Sequence, residues 1–275
     1  MFIKFFKDLS KDNVKDAGGK GASLGEMTNA GIPVPPGFVI TTDTYKNFYK
    51  QELPIDVQQE ILAAFDQLGA ERVAVRSSAV AEDSSNASWA GQMESYLNVS
   101  KQELFDKVRE CWNSNKSERG LAYAALQNIA EDQLFVAVVI QKMVESESSG
   151  VMFTINPVTK NTQELMIEAG FGLGEMLVQG MITPDNFVVA KDTLEIRNKE
   201  ISTQETMLVF QDGENKEVLV PEEKKKEPTL TEAQVKELAQ LGIRIEDHYH
   251  SPQDIEWALE KGRLYIVQSR PITTL

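Results

Sequence analysis

The C-terminal stretch "PQDIEWALEKGRLYIVQSRPIT" gathers two carboxylates, an amide and a guanidinium, Asp254, Glu256, Gln268 and Arg270, among clearly apolar residues. The runs Asp254 to Leu259 and Arg263 to Ser269 are rich in β-branched, aromatic and aliphatic residues and are separated by Glu260, Lys261 and Gly262. This spacing predicts a hairpin with a three-residue loop, a type I turn closed by glycine in the left-handed region. Leu259 then falls opposite Arg263 and Asp254 opposite Gln268. Strand alternation places Ile255, Trp257, Leu259, Tyr265 and Val267 on one face, and Asp254, Glu256, Ala258, Leu264, Ile266, Gln268 and Arg270 on the other. An oxygen-rich cluster of this kind suits a hard cation such as Mg²⁺, and the neighbouring Arg suits a phosphate bridged by it. The same pattern also suits a solvated hairpin face with ordinary cross-strand ion pairs.

Two further segments carry cations beside glycines or hydroxyls. Lys20 lies among Gly18, Gly19 and Gly21 ahead of a helix predicted from about Ala22 to Asn29. This is not a Walker A motif, because Val14 occupies the first glycine position and Gly21 follows the Lys. A glycine turn at a helix start still exposes backbone N–H groups and points Lys20 at an anion, although a plain strand-to-helix turn reads the same way. Arg76 follows the buried run "VAV" and opens a Ser/Ala/Gly-rich loop containing Gly91, a placement that reaches a phosphate or is satisfied by a nearby acid. "GFGLGE" at 170–175 fails the dinucleotide fingerprint, since Glu175 stands where the third glycine belongs, and reads as a turn before a short helix. His248 and His250 sit together at a helix end, where the dipole favours them, and Cys111 is alone. Ser-His-Asp chemistry, cysteine metal sites and internal disulfides are therefore not expected.

These groups must be positioned by a chain of 275 residues, long enough for one large domain or two lobes. Its net charge of -14 argues against nucleic acid, so an anionic ligand needs locally concentrated positive charge. No apolar run approaches a membrane span and the N-terminus has no uninterrupted signal-like core, which favours a cytoplasmic protein. Helical patterns cover 43–69 and about 101–127, and closely spaced strand candidates follow between 134 and 201. "PEEKKKEP" at 221–228 is the one linker-like composition, and Thr231 with Gln234 predicts a capping box for the next helix. The mixture suggests a two-lobed α/β or α+β protein.

The segments "GGKGASLGEM", "GIPVPPGFVIT", "VRSSAVAEDSSNASWAGQ", "SGVMFTINPVT", "GFGLGEMLVQGMITPDNF" and "DIEWALEKGRLYIVQSRPIT" occur in that order. Together they resemble the nucleotide-binding domain shared by phosphoenolpyruvate synthase, pyruvate phosphate dikinase and rifampicin phosphotransferase. The resemblance implies an α+β, ATP-grasp-like fold of two lobes with ATP bound between them. It implies an N-terminal lobe over 1–139 with the phosphate-binding loops and a C-terminal lobe over 140–275 with the adenine and metal strands. By motif, Lys20 and Arg76 bind the ATP phosphates, Glu256 and Gln268 hold Mg²⁺, and Arg270 contacts the transferring phosphate. Gln141, Lys142, Met143 and Val144 lie beside the adenine, and Gly91 lies in a loop over the phosphates. Arg76 and Arg270 are the expected catalytic residues. Two departures stand out: the region between Thr44 and Arg72 is shorter than in the relatives, and the chain stops before the swivelling domain whose His accepts the phosphoryl group. The expected function is thus the ATP-cleaving part of a phosphotransferase acting with a His-bearing domain or partner, the acceptor being pyruvate, a drug-like alcohol or another group. The alternative is a non-catalytic nucleotide-binding or regulatory module.

Overall fold

A computed structural model describes residues 1–80, 94–114 and 135–273. The chain divides into two compact units, Met1–Gly31 with Pro35–Met143, and Ile32–Val34 with Val144–Leu275. Helices and antiparallel sheets occur in both, so the class is α+β.

The first unit is built on a five-stranded sheet in the order β1-β2-β5-β3-β4, where β1 is Ile3–Phe5, β2 Gly37–Ile40, β3 Arg72–Ala79, β4 Ser95–Ser100 and β5 Val136–Lys142. Every neighbouring pair is antiparallel. Phe38, Ile40, Val73, Val75, Val138 and Ile140 project into a core shared with Tyr45, Val57, Ile61, Phe65, Leu104 and Val108. Those partners come from α2 (Thr42–Phe48), α3 (Ile55–Gln67) and α4 (Leu104–Ser114). The opposite sheet face receives α1 (Val14–Asn29), so central β5 is buried on both sides, which explains its unbroken apolar run. The helical pattern predicted over 43–69 is broken between Phe48 and Ile55. Pro54 cannot continue a helix and disfavours helical backbone at Leu53. Of the helix predicted over 101–127, Leu104–Ser114 is observed and the remainder lies outside the described residues.

The second unit holds a six-stranded antiparallel sheet in the order β13-β12-β6-β7-β8-β9. Its strands are β6 (Ser148–Phe153), β7 (Glu164–Phe171), β8 (Asp185–Ala190), β9 (Ile196–Glu200), β12 (Gln253–Glu260) and β13 (Arg263–Pro271). A short α5 (Glu175–Val178) and a separate hairpin, β10 (Thr206–Gln211) with β11 (Glu214–Leu219), complete it with α6 (Glu232–Tyr249). The capping box opens α6 as predicted: Thr231 N–H donates to Gln234 Oε1 at 2.8 Å, and Gln234 N–H donates to Thr231 Oγ1 at 3.3 Å. Val235, Leu238, Leu241 and Ile245 of α6 are buried, as are Met152, Ile167, Phe187, Ile255 and Trp257 of the sheet. Gly242 lets the helix close on the sheet, because a Cβ there would lie 2.7 Å from Met152 Cε.

The hairpin β12–β13 departs from the predicted register. Its loop is two residues, Lys261 and Gly262, both at positive φ (50° and 74°) as a type I′ turn requires, so Glu260 pairs with Arg263. Pairing then runs Leu259 with Leu264 and Trp257 with Ile266, shifts by one residue, and continues Glu256 with Gln268 and Asp254 with Arg270. Val267 is the extra residue of a β-bulge, which reverses the alternation. Leu264 and Ile266 enter the core with Trp257, whereas Gln268 and Arg270 share the face of Glu256 and Asp254. The expected common face for Leu264, Ile266, Gln268 and Arg270 is therefore corrected.

The linker-like segment at 221–228 lies within the second unit and is bonded at Lys225 and just past its end at Thr229. Gln204 N–H donates to Lys225 O at 3.0 Å. Asp185, fully buried, accepts from Ser202 N–H at 3.0 Å, Gln204 Nε2 at 3.4 Å, and both Thr229 N–H and Oγ1 at 2.8 Å. A composition that suggests a tether is thus held by a backbone hydrogen bond at Lys225 and, just beyond it, by the Asp185 carboxylate at Thr229. Among the described residues no helix is long and apolar enough to cross a membrane.

Replacing Asp185 by Ala strands several buried donors and is expected to cost about 3 kcal/mol or more in urea unfolding, with faster proteolysis near 221–228. Unchanged cleavage there would show that the segment is a tether after all. Cys111 offers a second check. It is fully buried with its Sγ 3.8 Å from Val75 O, and burial pushes its thiol up to about 12. It should resist aromatic disulfide reagents at pH 8 in the native chain and react on unfolding, whereas rapid native labelling would contradict this packing.

Candidate functional site

The first unit brings Lys20 and Arg76 to one face of its sheet. α1 is kinked at Gly18, whose backbone (φ 68°, ψ 172°) is not helical, and the helix resumes at once, so Lys20 stands in the first turn after the kink. Lys20 Nζ donates to Ser77 O at 3.3 Å, Gly21 N–H donates to Ser78 Oγ at 3.1 Å, and Ser78 Oγ donates to Ala17 O at 2.8 Å. Gly21 allows the close approach, since a Cβ there would lie 2.9 Å from Val39 Cγ2 and 3.6 Å from Val139 Cγ2. Arg76 pairs with Val139 across β3–β5, and Val139 pairs with Val39, so Arg76 projects on the face against which this turn packs. Both cations are nearly buried, Lys20 6% exposed and Arg76 7%. Two nearly buried positive side chains beside a glycine turn are the kind of group that recognises an anion.

Gln141 lies on the same face, flanked across the strands by Gly37 and Ala74, and its Nε2 makes no hydrogen bond. The backbone of the following residues is tied down: Lys142 N–H donates to Pro36 O at 2.8 Å and Met143 N–H to Arg72 O at 3.1 Å. Val144, buried, is where the second unit's main segment begins. Gly91 lies outside the described residues.

The second unit brings Glu256, Gln268 and Arg270 together on the sheet face opposite the Trp257 core. Glu256 and Gln268 are direct cross-strand partners, and Arg270 donates to Asp254 Oδ2 from Nε at 2.9 Å and from Nη2 at 2.6 Å. Val151 separates Glu256 from Glu168, which therefore shares this face two strands away. Burial pushes the Asp254 carboxyl above the usual carboxylate range; the Arg270 guanidinium opposes the rise and Glu256 adds to it. Glu168 is raised by burial and further by Asp254. Sequence reading places Asp254 opposite Gln268, which the two-residue loop and the bulge together move to Arg270, and it does not single out Glu168. A signal was present in "ELMIEAGF", where Glu168 is the one charge inside an otherwise apolar strand interior. In the "GFGLGE" turn, Gly172 has φ 75° and no room for a Cβ, which would lie 2.3 Å from Leu208 O. Burial also raises the Glu175 carboxyl that follows.

A carboxylate and an amide oxygen on adjacent strands provide two oxygen donors for one hard cation. Among the described residues no group of three or more His, Cys, Asp or Glu forms a cage, so the remaining positions would fall to water or to ligand oxygens. That is the coordination habit of Mg²⁺ with phosphates, and the donor set fits it.

Comparison with known proteins is consistent along the whole chain. The family model described as "Pyruvate phosphate dikinase, AMP/ATP-binding domain" matches residues 14–53 and 46–275. The chain is similar to a probable phosphoenolpyruvate synthase of Methanocaldococcus jannaschii, 42% identical over all of this chain and 27% of that protein. It is also similar to the phosphoenolpyruvate synthase of Pyrococcus furiosus, 40% identical over all of this chain and 44% of that protein. Rifampicin phosphotransferase of Bacillus cereus is 38% identical over all of this chain and 36% of its own length. The chain thus spans less than half the length of these curated relatives. With its sequence matched from end to end, the chain belongs to the pyruvate phosphate dikinase AMP/ATP-binding domain family.

Proposed function

We propose that this chain is the ATP-binding, ATP-cleaving domain of a phosphoenolpyruvate synthase or pyruvate phosphate dikinase type phosphotransferase, in an ATP-grasp-like arrangement. What supports this reading is, within the first unit, the two nearly buried cations Lys20 and Arg76 and, within the second, the cross-strand oxygen pair Glu256 and Gln268, in a chain of the AMP/ATP-binding domain family.

Lys20 and Arg76 hold phosphate oxygens, and their fixed backbone and strand positions mean that little reorganisation is needed as charge develops. Glu256 and Gln268 would hold Mg²⁺, which would supply charge neutralisation to the phosphates. Arg270, oriented by Asp254, contacts the phosphoryl group in transfer. Gln141, Lys142, Met143 and Val144 border the base, and Gly91 belongs to a loop over the phosphates. ATP, water and a histidine give AMP, inorganic phosphate and phosphohistidine, the histidine lying on another domain or on a separate protein. The final acceptor is a small alcohol or enol, pyruvate in the synthase and dikinase relatives. With its net charge of -14, the chain is read as a cytoplasmic protein that does not bind nucleic acid.

Calorimetric titration with ATP, with and without Mg²⁺, tests this reading. Saturable binding is expected; Lys20→Ala and Arg76→Ala each weaken it about tenfold or more, as loss of a charge-assisted contact does. Glu256→Ala should abolish the gain in affinity conferred by Mg²⁺ while sparing metal-free binding. A folded wild-type chain that binds no ATP, or variants that bind as well as wild type, would overturn it.

A further inference from the structure

We propose that Ser78 is the positioning residue of the Lys20 turn, supplying from β3 the hydroxyl that a helix normally takes from its own N-cap. The inference rests on the assignment of Lys20 to the ATP phosphates.

A helix that restarts after a kink has amide donors with no intrahelical partner in its first turn. The usual remedy is Ser, Thr, Asp or Asn at the cap, whose side-chain oxygen accepts from an amide two or three residues on. Here the cap position is Gly18, with φ 68°. Any Cβ there would lie 2.2 Å from Ser78 O and 2.3 Å from Ser78 Oγ, so no side chain that caps can occupy it. The oxygen is delivered from the strand instead. Ser78 Oγ accepts the N–H of Gly21, three residues beyond Gly18, at 3.1 Å. The same hydroxyl donates to Ala17 O, on the other side of the kink, at 2.8 Å.

One hydroxyl therefore joins the last carbonyl before the kink to an amide after it. Lys20 lies between those two anchors, with Nζ 3.3 Å from the carbonyl of the neighbouring Ser77. Ser78 has no exposed surface, so bulk water does not substitute for its hydroxyl. Loss of that oxygen strands a buried donor and a buried acceptor at once, and the kink is free to re-form with Lys20 elsewhere. The close approach that excludes a Cβ from Gly18 is also what brings the Ser78 hydroxyl into range. The glycine and the serine are thus two halves of one device.

The test compares wild type, Ser78→Ala and Ser78→Thr by ATP titration, with amide hydrogen exchange of Gly21 measured in the ligand-free chain. Ser78→Ala should remain folded, bind ATP about tenfold more weakly and exchange the Gly21 amide at least tenfold faster. Ser78→Thr, which keeps the hydroxyl, should restore both. Unchanged ATP affinity in folded Ser78→Ala overturns the proposal, as does failure of Ser78→Thr to recover affinity while it protects Gly21. A wild-type chain that binds no ATP overturns the phosphate assignment itself, a result distinct from either. If Ser78→Ala does not fold, Ser78→Thr decides: near wild-type affinity and exchange support the role, and weak binding counts against it.

Discussion

A regular strand cannot send Leu264 and Ile266 into a core and Gln268 and Arg270 to the opposite face, because all four have the same parity. The single extra residue Val267 removes that conflict. On the turn side of it, the strand obeys the demand of Trp257 and Leu259 for buried partners. Beyond it, the strand presents Gln268 to Glu256 and Arg270 to Asp254. Everything inferred about a cation in the second unit depends on this change of phase, since the uninterrupted register would put core residues beside the polar ones. Bulges commonly re-aim side chains near functional sites, and here the reason is visible in the competing requirements of two ends of one strand.

The first unit reaches a comparable result by close approach. Gly18 turns the chain and Gly21 lets the helix settle on Val39 and Val139, so that Lys20 and Arg76 occupy one side of the sheet. Burying cations in a chain of net charge -14 concentrates positive potential where the surface as a whole is negative. The second unit uses the opposite sign: Asp254, Glu256 and Glu168 on one face, only partly offset by Arg270, favour a cation.

Much of this was legible in the residues, and the failures have physical causes. The α+β class, the α6 capping box and the identities of Lys20, Arg76, Glu256, Gln268 and Arg270 as candidates follow from spacing and motif. The bulge does not, because its position is set by which residues the core accepts. Glu168 joins the polar face only through β6 lying between β7 and β12, a tertiary fact. Ser78 caps a helix 57 residues away, which no local rule reports. The segment at 221–228 is misleading in composition, since its anchor Asp185 is 44 residues from Thr229. Asp212-Gly213, with φ of 54° and 90°, forms the two-residue turn between β10 and β11, a signal that the sequence analysis does not use.

The most direct measurement is a crystal structure of the chain grown with a non-hydrolysable ATP analogue and Mg²⁺. The expected result is a metal held by oxygens of both Glu256 and Gln268, and nucleotide phosphates in contact with Lys20 and Arg76. A nucleotide bound away from Lys20 and Arg76, or a metal held without Gln268, would contradict it.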